Sequence, residues 1–264
     1  MGKEEFNSYY KNIYGERWEA LRESLMLPSE PVSYSEKLLK DYMLDKASIM
    51  AACLLPLEGV SANTDEPLIL DACAAPGGKS LVIASRLPPL AKLLCNELSS
   101  ERRRRLVNVL DEHLDAETRK RVTVSGFDLG KAGGRKSEHE RFDAILLDAP
   151  CSSERHVIQS EKALAEWTPA RPRSLAQRQW ALLSAAFLLL KPGGTLVYST
   201  CSINPNENDG VIARLYSKYS DQVEQPEPGE ADEAGEKTLH GRIILPDSSG
   251  GMGPMYAARV RKKS

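Results

Sequence analysis

Short apolar strands alternate with longer helical segments between residues 68 and 199, and this alternation limits the possible fold more than any other feature. The predicted strands are Leu68–Asp71, Lys92–Asn96, Val122–Ser125, Phe142–Leu147 and Thr195–Ser199. The predicted helices are Gly77–Leu87, Ser99–His113, Ser174–Leu190 and Asn206–Tyr219. Strands and helices in this order form right-handed βαβ units, whose helices cover both faces of a mostly parallel sheet. We therefore predict a doubly wound α/β fold, with ligands at the carboxyl ends of the strands.

The sequence on either side of this alternation predicts further elements. Residues 6–25 carry apolar side chains at helical spacing, and residues 35–54 also have the pattern of a helix. Two last strands are predicted near Arg242–Leu245 and Met255–Arg261. We expect a short helical N-terminal extension over residues 1–40 and the α/β domain over residues 41–264.

Composition narrows the class of protein. The longest apolar stretch, Trp180–Leu190, has about half the length that a membrane span needs, and the chain opens with no secretory leader, so we expect neither a membrane protein nor a secreted one. The five cysteines show neither a disulfide framework nor the paired spacing of a metal site. We therefore expect no metal, and a reducing compartment such as the cytoplasm or the mitochondrial matrix.

The net charge of −2 hides an uneven distribution of charges. Residues 221–236 contain seven acids and no base, which leaves 35 bases against 30 acids elsewhere, a net charge of +5. The basic clusters lie at Arg102–Arg105, at Arg171, Arg173 and Arg178, and at Arg259–Lys263. Such clusters are often only solvated surface, so they allow a polyanionic partner without requiring one.

A stretch of small residues, DACAAPGGKS, runs from Asp71 to Ser80 after the first strand of the sheet. Its glycines let backbone N–H groups approach a ligand closely, but the spacing matches neither a dinucleotide fingerprint nor a phosphate loop. Glu97 ends the second strand, where an acid can bind both ribose hydroxyls, and Asp128 follows the third strand, where it could meet an adenine edge. This arrangement predicts an adenosine site without a phosphate cradle, which fits S-adenosylmethionine better than NAD or ATP.

Two cysteines follow the fourth and fifth strands, Cys151 in the motif DAPCSS and Cys201 in the motif STCS. A lone cysteine is usually a small buried hydrophobic residue, but two at the ends of adjacent strands would face one cleft. Because no matching histidine or cysteine lies beside them, a zinc site is disfavoured and thiolate chemistry remains.

With the motifs DACAAPGGKS, DAPCSS and STCS in this order, the sequence resembles the Fmu/Sun-domain (RsmB-like) RNA cytosine-C5 methyltransferases from about Tyr42 to Val260. The resemblance implies a Rossmann-like class I S-adenosylmethionine-dependent methyltransferase domain. Arg155-His156 and the stretch Gly253–Tyr256 look more like the mitochondrial rRNA-modifying branch, whereas many relatives carry Asp-Gly-Phe-Phe at the latter position. Many relatives also carry a separate RNA-binding domain, for which this sequence has no room, so a partner protein or the N-terminal helices would select the RNA.

The resemblance also implies a role for each motif residue. The turn from Cys73 to Lys79 would hold the methionine part of S-adenosylmethionine, while Glu97 would bind the ribose and Asp128 the adenine. The residues expected to bind the cofactor are Cys73, Ala74, Ala75, Pro76, Gly77, Gly78, Lys79, Glu97, Asp128 and Asp148. The expected catalytic residues are Cys201 as the nucleophile, Cys151 in product release, Asp148 and Lys79.

The chemistry of the base is consistent with these roles. A thiolate that adds to C6 of cytosine makes C5 nucleophilic, and Asp148 lies one strand end from Cys201, where it can stabilise the adduct at N3. Lys79 would orient Asp148 or lower the pKa of a thiol. Chemistry alone leaves both cysteines open as the nucleophile, since DNA cytosine methyltransferases use the Pro-Cys thiol and only the resemblance favours Cys201.

The predicted substrate is a cytidine in structured RNA, ribosomal RNA first and tRNA second, flipped or unpaired to reach the thiol. Residues that could hold phosphates are Arg155, His156, Arg171, Arg173 and Arg178, whereas Arg102 is expected to have a partner near the cofactor. Trp167 is predicted equally to pack or to stack on a base. The alternatives are a catalytically silent RNA-binding ribosome-assembly factor and an exocyclic-nitrogen methyltransferase, although DAPC lacks the aromatic residue of the latter class.

Overall fold

The computed structural model describes residues 2–58, 60, 66–226 and 234–264. The helices are α1 (Gly2–Tyr14), α2 (Trp18–Met26), α3 (Lys46–Cys53), α4 (Gly78–Ser85), α5 (Ser100–His113), α6 (Ala116–Lys120), α7 (Leu129–Gly133), α8 (Glu154–Gln159), α9 (Glu161–Ala165), α10 (Ala170–Leu189) and α11 (Asp209–Lys218). The strands are β1 (Val32–Tyr34), β2 (Tyr42–Leu44), β3 (Leu68–Asp71), β4 (Lys92–Asn96), β5 (Val122–Ser125), β6 (Phe142–Asp148), β7 (Leu190–Thr200), β8 (Val223–Glu224), β9 (Glu236–Lys237), β10 (Arg242–Ile244) and β11 (Met255–Lys262).

The main sheet has the strand order β5-β4-β3-β6-β7-β11-β10-β9, with β8 paired to β11. The first five strands of this order are parallel to one another, and β11 and β10 add antiparallel pairs at the other side. This confirms the predicted mostly parallel sheet. The order of connection reverses between β3 and β6, which is where an open α/β sheet leaves a crevice for ligands.

Successive side chains of the parallel strands enter two hydrophobic cores, one on each face of the sheet. In β3, Ile69 packs with the core under α3, α4 and α5, whereas its neighbour Leu70 packs with the core under α1, α10 and α11. In β6, Leu146 and Leu147 divide in the same way. Helices on both faces therefore hold the carboxyl ends of β3, β6 and β7 at one edge, where the candidate site lies.

The helix predicted over residues 35–54 is wrong before Lys46, because a hairpin of β1 and β2 occupies this part of the chain. Lys37, between the two strands, has a φ of 52°, in the left-handed region that a helix does not use. Asp45 then caps α3, since its carboxylate accepts the N–H of Ala47 at 2.8 Å. Turn and cap geometry, rather than apolar spacing, decides the structure of this segment.

The N-terminal helices α1 and α2 confirm the helical pattern predicted for residues 6–25. Their apolar side chains are buried against Trp167, which follows α9, and Phe6 meets the Trp167 ring edge-on at 5.1 Å between centroids. The helical part ends at Met26, so the proposed boundary at residue 40 falls inside the hairpin. The division into an extension and a main domain stays a prediction.

The other predicted elements are confirmed, with some shifted ends. α10 begins at Ala170, four residues before the predicted start, and α11 begins at Asp209. β7 begins at Leu190 instead of after the Lys-Pro-Gly-Gly stretch, because Leu190 already pairs with Phe142 of β6 across a register shift. Gly193, with a φ of 77°, supplies the conformation that this irregular pairing needs.

Candidate active site

The turn after β3 forms one wall of a cavity of about 300 Å³ at the crevice between β3 and β6. The residues that line it are Asp71, Cys73, Ala74, Ala75, Pro76, Gly78, Lys79 and Asp148, together with Tyr42, Met43, Leu44, Asp45 and Ser48 from the hairpin and α3. Most of the residues predicted to bind the cofactor therefore meet in one place. The hairpin that the sequence prediction missed supplies the opposite wall.

The two glycines of the turn are required by close packing. Gly77 has a φ of 123°, and a Cβ there would lie 3.0 Å from the Val109 side chain of α5. A Cβ on Gly78 would lie 2.7 Å from the side chain of Leu44 in β2. Glycine thus lets the turn contact both α5 and the hairpin, which brings its backbone to the edge of the cavity.

Asp71 is buried at the base of this cavity. One of its carboxyl oxygens accepts the hydroxyl of Ser80 at 2.6 Å, and the other, Oδ1, is buried without a hydrogen-bond partner among the described residues. Burial raises the pKa of Asp71 to about 7, although the Ser80 hydrogen bond opposes the shift. The cavity therefore holds an acid that changes its charge near neutral pH and has an oxygen to offer.

Glu97 and Asp128 lie at the predicted strand ends but do not line this cavity. The Glu97 carboxylate is buried, accepts the N–H of Ser99 at 2.9 Å and lies 3.3 Å from the Arg102 guanidinium. Arg102 also donates to the carbonyl of Ala75 at 2.8 Å, so its predicted local partner is confirmed. Asp128 caps α7, and its side chain is 40% exposed.

Lys79, Asp148 and Ser199 form a chain of hydrogen bonds between the cofactor turn and the cysteine strands. Lys79 Nζ lies 2.8 Å from Asp148 Oδ2, and the Ser199 hydroxyl donates to Asp148 Oδ1 at 2.8 Å. Burial alone would lower the pKa of Lys79, but the charge and hydrogen bond of Asp148 more than offset it, so that pKa is raised. Lys79 therefore favours its charged form and contacts Asp148 directly, and its predicted roles, to orient Asp148 or to lower the pKa of a thiol, stay predictions.

Cys151 and Cys201 are free thiols whose Sγ atoms lie 2.8 Å apart. The Ser153 hydroxyl lies 3.2 Å from the Cys201 sulfur, held there by a left-handed φ of 54°. Hydrogen bonding from Cys151, and then from Ser153, lowers the pKa of Cys201, whereas the same contact and burial raise the pKa of Cys151 well above its ordinary value. The pair thus favours a thiolate on Cys201 and a protonated thiol on Cys151.

A second cavity, of about 340 Å³, opens beside Cys201. Its lining residues are Ser29, Asp45, Ser48, Ser153, Arg155, His156, Gln159, Cys201, Gly253, Pro254 and Met255. Asp45 and Ser48 line both this cavity and the one beside Lys79, so the two adjoin at the start of α3. The arrangement can present a small electrophile and a planar ring to each other across Asp148 and Cys201.

The residues predicted to contact RNA differ in their surroundings. Arg155 and His156 line the second cavity, whereas Arg173 and Arg178 are exposed on α10. Trp167 is only 1% exposed and packs among aromatic rings, so the base-stacking role is wrong for it and the packing role is confirmed. Of the acidic stretch 221–236, residues 227–233 lie outside the described residues.

Sequence reasoning missed several residues of the site. Asp45, Ser48 and Ser153 line the second cavity, and Glu154 and Glu207 lie buried behind the two cysteines. The signal for Asp45 was its place as an acid before a helix, a common capping pattern. The two glutamates carried no such signal, because an acid beside a motif is usually a surface residue.

Within the described ranges no helix is long and apolar enough to cross a membrane. In the same residues, no group of three or more His, Cys, Asp or Glu side chains is placed to hold a metal ion.

The fold and the site together define an open α/β domain with two adjoining cavities and a pair of cysteines at the carboxyl ends of its strands. A model of the 16S rRNA methyltransferase RsmB/F family matches residues 60–261, and the chain belongs to this family. The predicted family is thereby confirmed, while its mitochondrial branch stays a prediction.

Two curated relatives and two solved structures illustrate the similarity. Ribosomal RNA small subunit methyltransferase F of Escherichia coli O9:H4 is 40% identical over 190 residues, 72% of this chain and 38% of that protein. The protein of the same name from Klebsiella pneumoniae is 40% identical over 66% of this chain and 35% of its own length. The chain thus spans little more than a third of these relatives.

Among solved structures, a methyltransferase homolog protein from Pyrococcus horikoshii has a TM-score of 0.72 at 22% identity, covering 97% of this chain and 93% of that one. This likeness shows the fold. The crystal structure of NSun6 from Pyrococcus horikoshii with SFG has a TM-score of 0.68 at 25% identity, covering 90% of this chain and 57% of that one.

Proposed function

We propose that the chain transfers a methyl group from S-adenosylmethionine to C5 of a cytidine in RNA, with Cys201 as the nucleophile. The observation that carries the proposal is the pair of adjoining cavities. One has the Lys79–Asp148 ion pair in its wall, the other has the Cys201 sulfur, and Asp45 and Ser48 line both. Methyl transfer requires the donor and the pyrimidine ring to lie side by side, which two adjoining cavities allow.

The residues of the first cavity fit S-adenosylmethionine, which supplies an electrophilic methyl group when bound. Asp71 offers a buried oxygen that has no partner in the part of the chain that the structure describes, and this oxygen suits the donor's ammonium or its hydroxyls. A Cβ at Gly78 would lie 2.7 Å from the Leu44 side chain, so glycine here lets backbone groups come close to the cavity edge. Glu97, at the end of the neighbouring strand, is proposed to bind the ribose, and Asp128 the adenine.

Cys201 would attack C6 of the base as a thiolate, and the electron pair that this addition moves towards C5 would form the new carbon–carbon bond with the methyl group. The bond between the methyl group and the donor's sulfur would break in the same step, which leaves a neutral thioether. Asp148, held by Lys79 and Ser199, would stabilise the adduct at N3 of the ring. Release requires loss of the C5 proton and expulsion of the Cys201 thiolate. Cys151, 2.8 Å from Cys201, is placed to help this step through its own sulfur.

We propose ribosomal RNA as the substrate, since the curated relatives are named ribosomal RNA small subunit methyltransferases. Arg155 and His156 line the cavity beside Cys201 and are the proposed contacts for the nucleotide that carries the target base. The free thiols suit a reducing compartment, for which the cytoplasm is our proposal. A protein partner that selects the RNA is a further proposal from the sequence.

The test uses Cys151→Ala protein with S-adenosylmethionine and total RNA from the source cells. If Cys201 attacks and Cys151 assists release, a covalent protein–RNA species accumulates that survives a denaturing gel, and the sequence of its RNA names the substrate. The species must disappear in the Cys151→Ala/Cys201→Ala double variant. Cys53→Ala, a thiol outside the site, is the control and should release its product normally.

Other outcomes contradict defined parts of the proposal. A Cys201→Ala protein that still methylates RNA would indicate an exocyclic-nitrogen methyltransferase. If Cys201→Ala instead traps a covalent adduct, then Cys151 is the nucleophile and Cys201 assists release. Trapped tRNA would refute the rRNA assignment. If the wild-type protein transfers no methyl group to free RNA or to isolated ribosomal particles, a missing partner protein becomes the leading explanation, and methyl transfer by the purified protein would dismiss the silent RNA-binding factor.

A further inference from the structure

Two glutamates lie fully buried behind the cysteines and link their loops reciprocally. Glu154 follows Cys151, and its Oε2 accepts the N–H of Ile203 from the Cys201 loop at 3.0 Å. Glu207 follows Cys201, and its Oε2 accepts the N–H of Ser152 from the Cys151 loop at 3.0 Å. Each loop thus provides a carboxyl group that fixes the backbone of the other.

The other oxygen of each carboxyl group, Oε1, contacts two serine hydroxyls. Ser152 Oγ contacts Oε1 of Glu154 and Oε1 of Glu207, and Ser202 Oγ lies 3.3 Å and 3.2 Å from the same two atoms. Each hydroxyl has a single hydrogen and can donate to only one carboxyl at a time. The remaining contacts are hydrogen bonds only if a carboxyl group itself carries a hydrogen.

Their surroundings show which carboxyl that is. Glu154 Oε1 also accepts the hydroxyl of Tyr10 at 2.5 Å, a strong donor from α1. Glu207 Oε2 accepts Gln179 Nε2 of α10 at 2.8 Å, but beyond the two serines its Oε1 has no donor among the described residues. Hydrogen-bond donors therefore stabilise a negative charge better on Glu154 than on Glu207. Glu207 is the carboxyl group that is better placed to carry a proton.

We propose that Glu154 and Glu207 share one proton, held on Glu207, and that this pair positions the two thiols for the reaction. The proposal rests on the proposed function in treating the thiols as the reacting groups. Burial, and then the charge of Glu154, raises the pKa of Glu207 to about 7, in agreement with this geometry. When the proton leaves, two adjacent carboxylates repel each other and the serine bridge loses a hydrogen bond.

Within the part of the chain that the structure describes, no neutralising cation lies against the two carboxyl groups. Tyr10 and Tyr14 approach from α1, Tyr14 donating to the carbonyl of Ile203, and Tyr198 of β7 donates to the carbonyl of Glu207. Arg171 of α10 contacts only the carbonyl of Ser152, at 3.5 Å. Among the described residues no lysine, arginine or histidine forms an ion pair with either carboxyl, so protonation is the remaining way to reduce their repulsion.

The experiment compares methyl-transfer rates of the full chain from mildly acidic to alkaline pH. Glu207→Ala is expected to lower kcat at least tenfold, and Glu207→Gln to restore most of it, because the amide supplies both an acceptor for Ser152 N–H and a donor for Ser152 Oγ. The wild-type rate should fall on the alkaline side as the pair loses its proton, and the Glu207→Gln rate should fall less, because only Asp71 of these two acids still titrates in this window. Glu161→Gln, an exposed acid on α9, is the matched control and should keep the wild-type profile.

A measurement that does not depend on methyl transfer tests the shared proton separately from the proposed function. Infrared difference spectra of wild type against Glu207→Gln at neutral pH should show the loss of one protonated-carboxyl band, even if no RNA is methylated. Absence of that band overturns the shared proton. A Glu207→Gln protein that is as slow as Glu207→Ala, or whose rate falls on the alkaline side as much as that of wild type, overturns the positioning role.

Discussion

Replacement of Asp71 by Asn should reduce the loss of the protein's stability as the pH rises. Asp71 is buried beneath the cofactor turn, and one of its oxygens has no partner among the described residues. Its pKa is raised from 3.8 to about 7, mainly by burial. The folded chain therefore resists ionisation of this carboxyl, and the unfolded chain does not.

The sign and size of the effect follow from proton linkage. Between the unfolded pKa of 3.8 and the folded pKa of about 7, the folded protein binds more protons, so its free energy of unfolding falls as the pH rises through this window. At about 1.4 kcal/mol for each pKa unit, the shift destabilises the ionised protein by about 4 kcal/mol, of which about 2–3 kcal/mol lies between about pH 5 and about pH 8. Glu207 titrates in the same window, so only the difference between wild type and variant reports on Asp71.

Urea unfolding without added cofactor, followed by tryptophan fluorescence at several pH values, measures this difference. Asp71→Asn should lose less stability than wild type on going from about pH 5 to about pH 8, by about 2–3 kcal/mol. Ser80→Ala removes the hydrogen bond that opposes the shift, so it should steepen the wild-type trend. Equal slopes in all three proteins would refute the reasoning, whatever the absolute stabilities.

Three further changes have defined outcomes. Tyr10→Phe removes a buried hydrogen bond to Glu154 and should cost about 1.5–3 kcal/mol in urea unfolding, since the acceptor is charged; a loss under about 0.5 kcal/mol would argue against that bond. Phe6→Ala should cost about 3–5 kcal/mol by leaving a cavity beside Trp167, measured in the same way. Gly77→Ala should weaken cofactor binding at least tenfold in calorimetry, because its Cβ would contact α5 at a φ of 123°. Gly15→Ala also places alanine at a positive φ, 59°, but no described atom lies within 4 Å of its Cβ, so this control should bind the cofactor normally.

Much of the fold could be predicted because the signals lie within single elements. Apolar runs such as Leu68–Asp71 and Phe142–Leu147 are short and bounded by turns, and these two became β3 and β6 with little change. The hairpin of β1 and β2 could not be predicted in this way. Its structure depends on a left-handed Lys37 and on pairing with residues about ten positions away, and neither leaves a periodic pattern.

The residues of the candidate site also differ in whether the sequence alone could predict them. Cys151, Cys201, Lys79 and Asp148 could be found because they stand in motifs at strand ends, and the topology of a parallel sheet brings those ends together. The contact of Glu207 with the Cys151 loop joins residues that are 55 positions apart. Only the folded chain shows that this acid is buried.

The start of α3 has a consequence for ligand binding, because Asp45 and Ser48 form part of the walls of both cavities. A ligand in either cavity that moves these side chains changes the shape offered to the other ligand. For the proposed ligands, thermodynamic reciprocity requires that the factor by which a methyl donor alters RNA affinity equals the factor by which RNA alters donor affinity. Titrations in both orders would therefore measure one coupling free energy, and Ser48→Ala should change it equally in each direction.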